Sequence, residues 1–264
     1  MPRLPHDAPV TPLGGRSIVV TRPSGQAGAL AGLIEGAGGR ALRYPAIEIE
    51  PCGGPALDPI IAALDAFDLA IFVSRNAVDL GLASVRAVRA WPAGLAVFAV
   101  GEGTRRALEA QGVTGAIAPE GPADSEALLE RPQLKAVAGK RILIFRGAGG
   151  RELLATTLRE REARVEYAEC YRRSRPATDM QPLIEEWRRG AVQAVTVSSG
   201  EGLTNLAALL GEAGGGYLAA TPLFVPHARV AADARLLGIG TVQVAGPADE
   251  DMLRALVAYF DRAG

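Results

Sequence analysis

Six runs of apolar and β-branched residues punctuate the chain, each ending in a small, hydroxylated or basic residue. They are SIVVTRPSG (17–25), LAIFVSRN (69–76), LAVFAVGEG (95–103), RILIFRGAG (141–149), AVTVSSGEG (194–202) and PLFVPHARV (222–230). None alternates apolar with polar, which is the pattern of a strand covered on both faces. Helical spacing follows them: Leu30, Leu33 and Ile34; Leu153, Leu154 and Leu158; Leu203, Leu206, Leu209 and Leu210. Strands alternating with helices predict a parallel sheet sandwiched by helices, an α/β fold.

The pattern repeats. An offset of 124 places Arg22 on Arg146, Gly25 on Gly149, Leu30 on Leu154 and Ser74 on Ser198. An offset of 125 places GPAD at 121–124 on GPAD at 246–249, and Leu128 on Leu253. Two α/β units of similar plan are expected, with the Asp of each GPAD capping a short helix. YPAIEIEPCGGP (44–55) and YRRSRPA (171–177) read as connections, because their prolines favour extended backbone. Cys52 and Cys170 sit at these joints as small apolar thiols at strand ends.

At 264 residues, two domains are the natural division. Net charge −1 gives no sign of a nucleic-acid or membrane-surface binder. Two cysteines far apart supply neither a disulfide framework nor a CxxC motif, and two histidines leave little for a metal centre or a Ser-His-Asp triad. MPRLPHDAPVTPLGG lacks the apolar core of a signal peptide and reads as a flexible arm. No apolar run approaches a membrane span. A cytoplasmic protein without metal is expected. All bases but Lys135 and Lys140 are arginine, whose planar fork suits carboxylates and phosphates.

Open α/β sheets bind ligands beyond the carboxyl ends of their strands. The residues there are Thr21 and Arg22; Ser74, Arg75 and Asn76; Gly101 and Thr104; Arg146 and Gly147; Ser198, Ser199 and Gly200; and Arg229. Amide N–H groups at helix starts, with hydroxyls and arginines, form an anion receptor. Taken singly, each serine or threonine is also a helix cap and each arginine also a surface charge. GEGTRR lacks the full dinucleotide fingerprint and no P-loop is present, so nucleotide binding is disfavoured. Gly25, Gly28, Gly32 and Gly36 share one face of the first helix, which is either a face for close packing on another backbone or a result of glycine-rich composition.

The ordered set of segments resembles the uroporphyrinogen-III synthase family. It comprises VTRPSGQAGALAGLIEGAGGRALRYPAIEIEP, FVSRNAV, AVGEGTRRALEAQG, FRGAGGRELLATTLREREARVEYAECYRR, VSSGEGLTNL and PADEDMLRAL. The resemblance implies two similar flavodoxin-like α/β domains with parallel sheets, joined by two extended linker strands, with a cleft between them. The domains would be 1–46 with 175–264, and 52–170, with linkers at about 47–51 and 171–174 and 1–15 as an arm. It implies a monomeric enzyme, without cofactor or metal, that closes the polycarboxylate linear tetrapyrrole hydroxymethylbilane with inversion of the last ring. Tyr171 would assist departure of the hydroxyl. Ser74, Thr104 and Ser198 would be strand-end hydroxyls facing substrate, and Arg229 would stand in for a threonine of other members. Tyr44 and Arg43, beside the first linker, are further candidates. A non-catalytic two-domain binder of a small anion is the alternative reading.

Overall fold

The computed structural model describes residues 11–121 and 124–263. In chain order the elements are β1 (Ser17–Val20), α1 (Ala27–Gly36), β2 (Arg40–Arg43), β3 (Glu48–Pro51), α2 (Asp58–Ala62), β4 (Leu69–Phe72) and α3 (Arg75–Val88). Next come β5 (Ala96–Ala99), α4 (Glu102–Ala110), α5 (Ser125–Leu129), α6 (Pro132–Lys135), β6 (Arg141–Gly147), α7 (Leu153–Glu160) and β7 (Arg164–Ser174). The chain closes with α8 (Gln181–Arg188), β8 (Ala194–Thr196), α9 (Gly200–Ala220), β9 (Leu223–Val225), α10 (Ala228–Leu236), β10 (Val242–Val244) and α11 (Asp249–Ala263).

All six apolar runs are strands: β1, β4, β5, β6, β8 and β9. The structure adds β2, β3, β7 and β10. Of these, β2, β3 and β10 lie at sheet edges and are only half-buried, so they carry no continuous apolar run.

The chain folds as two units, one comprising residues up to Glu48 and from Ser174 onward, the other Ile49–Arg173. The first holds a sheet of order β10-β9-β8-β1-β2 and the second a sheet of order β3-β7-β6-β4-β5. Pairing is parallel between β1 and β2, β1 and β8, and β8 and β9, and likewise between β4 and β5, β4 and β6, and β6 and β7. The chain crosses between units within β3 and β7, the linker strands, which are neighbours in the second sheet.

The sequence repeat has a structural form. β1 and β6 begin 124 residues apart, as do β2 and β7, and β4 and β8 end at the same separation. Ile117, bridged in parallel to Phe98 of β5, occupies the place that β10 holds beside β9. Each unit therefore combines the front of one repeat with the back of the other. β1-α1-β2 joins β8–β10, and β4-α3-β5 joins β6-α7-β7.

Both faces of each sheet are covered. In the first unit Ile18 and Val20 pack with Leu30 and Ile34 of α1, while Val19 and Val195 pack with Leu203 and Leu206 of α9. In the second, Phe72 and Phe145 pack with Val78, Leu82 and Val85 of α3, and Ile71 and Ile144 with Leu154 and Leu158 of α7.

Two expectations are corrected and one alternative is settled. Residues 1–10 lie outside the described residues, but 11–15 is no arm. It forms a hydrogen-bonded turn in which Leu13 is fully buried and its N–H donates to Ala37 O at 2.9 Å. The glycines of the first helix approach no backbone, since a Cβ at Gly25, Gly28, Gly32 or Gly36 would meet nothing within 4 Å. Of the two GPAD aspartates, only Asp124 caps a short helix, accepting from Ala127 N at 2.8 Å. Asp249 instead is the first residue of the long α11 and pairs with Arg22 at 2.6 Å.

Candidate functional site

In the second unit, α3 leaves β4 toward one face of the sheet and α7 leaves β6 toward the other. Adjacent strands whose helices diverge open a crevice at their carboxyl ends, the usual ligand position in such sheets. A cavity of about 290 Å³ lies here. Val73, Val100, Ile144, Leu154 and Ala155 give it apolar walls, and Ser74, Arg146, Arg151, Tyr167, Tyr171 and Arg173 bring polar groups to it.

Tyr171 reaches the cavity through an irregularity in β7. Arg146 pairs with Glu169, but the next residue, Gly147, pairs with Tyr171 instead of Cys170. The extra residue breaks the alternation of sides, so Cys170 and Tyr171 are both buried. Tyr171 is 2% exposed; its carbonyl accepts from Ala148 N at 2.8 Å, and its hydroxyl lies 3.0 Å from Ser74 Oγ. Ser74 also caps α3, accepting from Ala77 N at 3.2 Å.

Arg146 is 3% exposed, and its charge is met on several sides. Its Nη1 donates to Glu152 Oε1 at 2.8 Å, its Nε donates to Gly147 O at 3.2 Å, and its guanidinium lies 4.4 Å from the Tyr167 ring centre. Tyr167 in turn donates to Glu152 Oε2 at 2.5 Å. These contacts offset the cost of burying a cation. The Tyr167 hydroxyl and then Arg146 hold Glu152 below the usual carboxylate range, and burial followed by Glu152 raises Tyr167. A Cβ at Gly150 would lie 2.8 Å from Arg146 Nη2, so a larger residue there has to displace the guanidinium.

The other candidates of this unit sit at helix starts. Gly101 is the N-cap of α4. Thr104 is buried in the first turn of that helix and is not its cap. Arg75 and Asn76 open α3; Arg75 is exposed and lies 3.6 Å from Asp79.

In the first unit the matching strand ends are those of β1 and β8. Thr21 spends its hydroxyl on Thr196 O at 2.8 Å, and Arg22 is taken by Asp249. Ser199, not Ser198, caps α9, accepting from Gly202 N at 3.0 Å, and Gly200 is that helix's first residue. The structural counterpart of Ser74 is therefore one residue later than the repeat offset suggested, and Ser198 is left exposed. Arg229 is the exposed second residue of α10. Arg43 lies 3.9 Å from Glu35, and Tyr44 is half-buried, its hydroxyl raised chiefly by burial.

Sequence reasoning missed Tyr167, Glu152, Arg151 and Arg173. No local signal marks Tyr167: four residues before Tyr171 in an unbroken strand it would share that ring's face, whereas the shifted register leaves the two in different core clusters. Cys170 is inert by its surroundings, since burial pushes its thiol up to about 12. Among the described residues no cluster of His, Cys, Asp and Glu is arranged to hold a metal ion, and no helix is long and apolar enough to cross a membrane.

Comparison with known proteins is concordant. The family model described as uroporphyrinogen-III synthase HemD matches residues 28–254. The chain is 37% identical to the uroporphyrinogen-III synthase of Escherichia coli (strain K12) over 244 residues, 91% of this chain and 99% of that protein. It is 32% identical to that of Synechococcus elongatus over 207 residues, 75% of this chain and 76% of the other. The fold is shared with a mutant uroporphyrinogen III synthase from the extremely thermophilic bacterium Thermus thermophilus, at TM-score 0.60 and 21% identity over 94% of this chain and 98% of that one. It is also shared with the Helicobacter pylori 26695 uroporphyrinogen-III synthetase, at TM-score 0.58 and 15% identity over 92% and 99%.

Proposed function

The chain belongs to the uroporphyrinogen-III synthase family, lyases of tetrapyrrole biosynthesis, and we propose that it closes hydroxymethylbilane to uroporphyrinogen III with inversion of the last ring. The observation that supports this reading is the cavity of the second unit, where a buried arginine and a buried phenol meet apolar walls. Small-molecule pockets commonly span roughly 300–1,000 Å³, so this one suits part of a tetrapyrrole, on the order of one ring with its arms. Arg146 offers a guanidinium to a carboxylate arm, and Val73, Ile144 and Leu154 receive the ring.

The proposed chemistry starts with departure of the terminal hydroxyl. The phenol of Tyr171 donates its proton to that oxygen, the C–O bond breaks, and water leaves behind an azafulvenium cation. A substituted pyrrole carbon attacks the cation to give a spiro intermediate, which reopens and recloses with the last ring turned over. Loss of a proton from carbon then restores aromaticity, and its return to the Tyr171 phenolate leaves loss of one water as the net change. Left alone, the chain closes without inversion. The protein's work is to hold the polyanion so that the substituted carbon lies nearer the cation, which is positioning and electrostatics.

Ser198, Ser199, Gly200 and Arg229, together with Arg75, Asn76, Gly101 and Thr104, are proposed as further contacts to the substrate's carboxylates. Steady-state turnover of hydroxymethylbilane by Tyr171→Phe tests the reading. General-acid assistance commonly contributes about 10²-fold or more, so kcat falls by roughly that factor while the circular dichroism spectrum is kept. An unchanged kcat removes Tyr171 from the mechanism.

A further inference from the structure

We infer that Ser74 is a positioning residue for Tyr171: it donates its hydroxyl proton to the phenol oxygen and thereby aims the phenol's own proton into the cavity. This rests on the proposed role of Tyr171 as the acid that protonates the departing hydroxyl.

The argument is one of hydrogen-bond direction. Ser74 Oγ is 3.2 Å from Ala77 N, which donates to it, and 3.0 Å from Tyr171 Oη. A hydroxyl has one proton to give and two lone pairs to receive. Suppose Tyr171 donated to Ser74. Oγ has lone pairs for both donors, but the phenol proton would then be spent on the start of α3 and lost to the cavity. In the opposite sense the bonds run head to tail, from Ala77 N–H to Ser74 Oγ–H to Tyr171 Oη, and each polarises the next. The amide end of α3 lies behind this chain, and its partial positive charge favours the negative charge that gathers on the phenol oxygen as the proton leaves.

The ring is held so that the relay works from one side. The ring lies against Gly147, where a Cβ would stand 2.6 Å from Cε2, and the Tyr171 carbonyl is fixed by Ala148 N. The ring therefore cannot swing away from Ser74 without disturbing the ends of β6 and β7. Ser74 caps a helix, as any serine there would, but here its second contact is to the proposed acid.

Ser74→Gly separates the two roles, because glycine serves nearly as well as serine at an N-cap and brings no hydroxyl. The expected result is a fall in kcat of roughly fivefold to tenfold, the worth of about one neutral hydrogen bond, with KM within about twofold on the same scale. Ser74→Thr restores kcat. In a Tyr171→Phe background, Ser74→Gly has no further effect. An equal loss in that background, or failure of threonine to rescue, overturns the proposal. The direction of the bond is read without substrate from the tyrosine Fermi doublet in a Raman difference spectrum of the wild type against Tyr171→Phe. Its higher-frequency component dominates if the Tyr171 oxygen accepts; dominance of the lower component overturns the inference whatever the kinetics. If Tyr171→Phe keeps full kcat, the acid role fails and the positioning role fails with it, and the Raman doublet still assigns the donor.

Discussion

The ring of Tyr171 fills the space that a side chain at residue 147 would need: a Cβ on Gly147 would lie 2.6 Å from Tyr171 Cε2 and 2.7 Å from its Cζ. The irregular register that pairs these two residues is also what brings the phenol to the cavity. Gly147→Ala therefore has to move the ring or the strand. Overpacking of this kind costs about 1–3 kcal/mol, and kcat should fall by more than stability alone explains, because the phenol leaves Ser74. Urea denaturation and turnover, measured on the same preparation, check both parts.

Arg22 and Arg146 are equivalent in the repeat, yet they are committed differently. Asp249 meets Arg22 at 2.6 Å, whereas Arg146, which meets Glu152 at 2.8 Å and Glu169 at 3.9 Å, also lines the cavity. Arg146→Met should raise KM for hydroxymethylbilane by roughly tenfold to a hundredfold, the worth of one charge-assisted hydrogen bond. The thermal midpoint should fall as well, since Arg146→Met leaves Glu152 and the Tyr167 ring without their cation. Arg22→Met should lower the thermal midpoint and leave KM near the wild-type value. The reverse assignment would follow from the opposite pattern.

Much of the fold was legible because the central strands are parallel and covered on both faces, so β1, β4, β6 and β8 appear as unbroken apolar runs. The edge strands β2, β3 and β10 carry no such mark, because one side meets solvent. The repeat was legible as an offset, but not its exchange of parts between units, which depends on pairings distant in sequence. At the site, Ser74 and Arg146 stood out at strand ends, and Tyr171 came from family resemblance. Glu152 and Tyr167 were hidden. They meet Arg146 only through the β6–β7 pairing and the turn into α7, and no local pattern records the shifted register at Cys170. The glycine stripe of α1 was ambiguous because spacing alone does not tell an exposed face from a packed one, and the open space around it decides for the former.

The exposed face of α1 is a place to stabilise the fold. Gly28 and Gly32 are exposed within α1, with open space where a Cβ would go. Gly28→Ala and Gly32→Ala should each stabilise the protein by about 0.5–1 kcal/mol, through helix propensity and a less flexible unfolded chain. Equilibrium denaturation reads the gain directly.

Acid should loosen the Arg146 cluster. Glu152 is held below its usual value of 4.5 in the folded chain, first by the Tyr167 hydroxyl and then by Arg146. A carboxylate depressed by folding contributes stability that is complete above its unfolded value and lost as pH falls through the folded one. The wild type should therefore be more stable than Glu152→Gln at neutral pH, and the difference should vanish in acid below the usual carboxylate range. Urea midpoints of both proteins across that range check the sign. A difference that grows on acidification would contradict it.

The most direct test of the central claim is the isomer made from hydroxymethylbilane. Purified protein is incubated with freshly prepared substrate, the product is oxidised to porphyrin, and the type III and type I isomers are separated by chromatography. The account predicts mainly type III, in proportion to added protein and above the uncatalysed type I background. Recovery of type I alone, at the rate seen without protein, would contradict it.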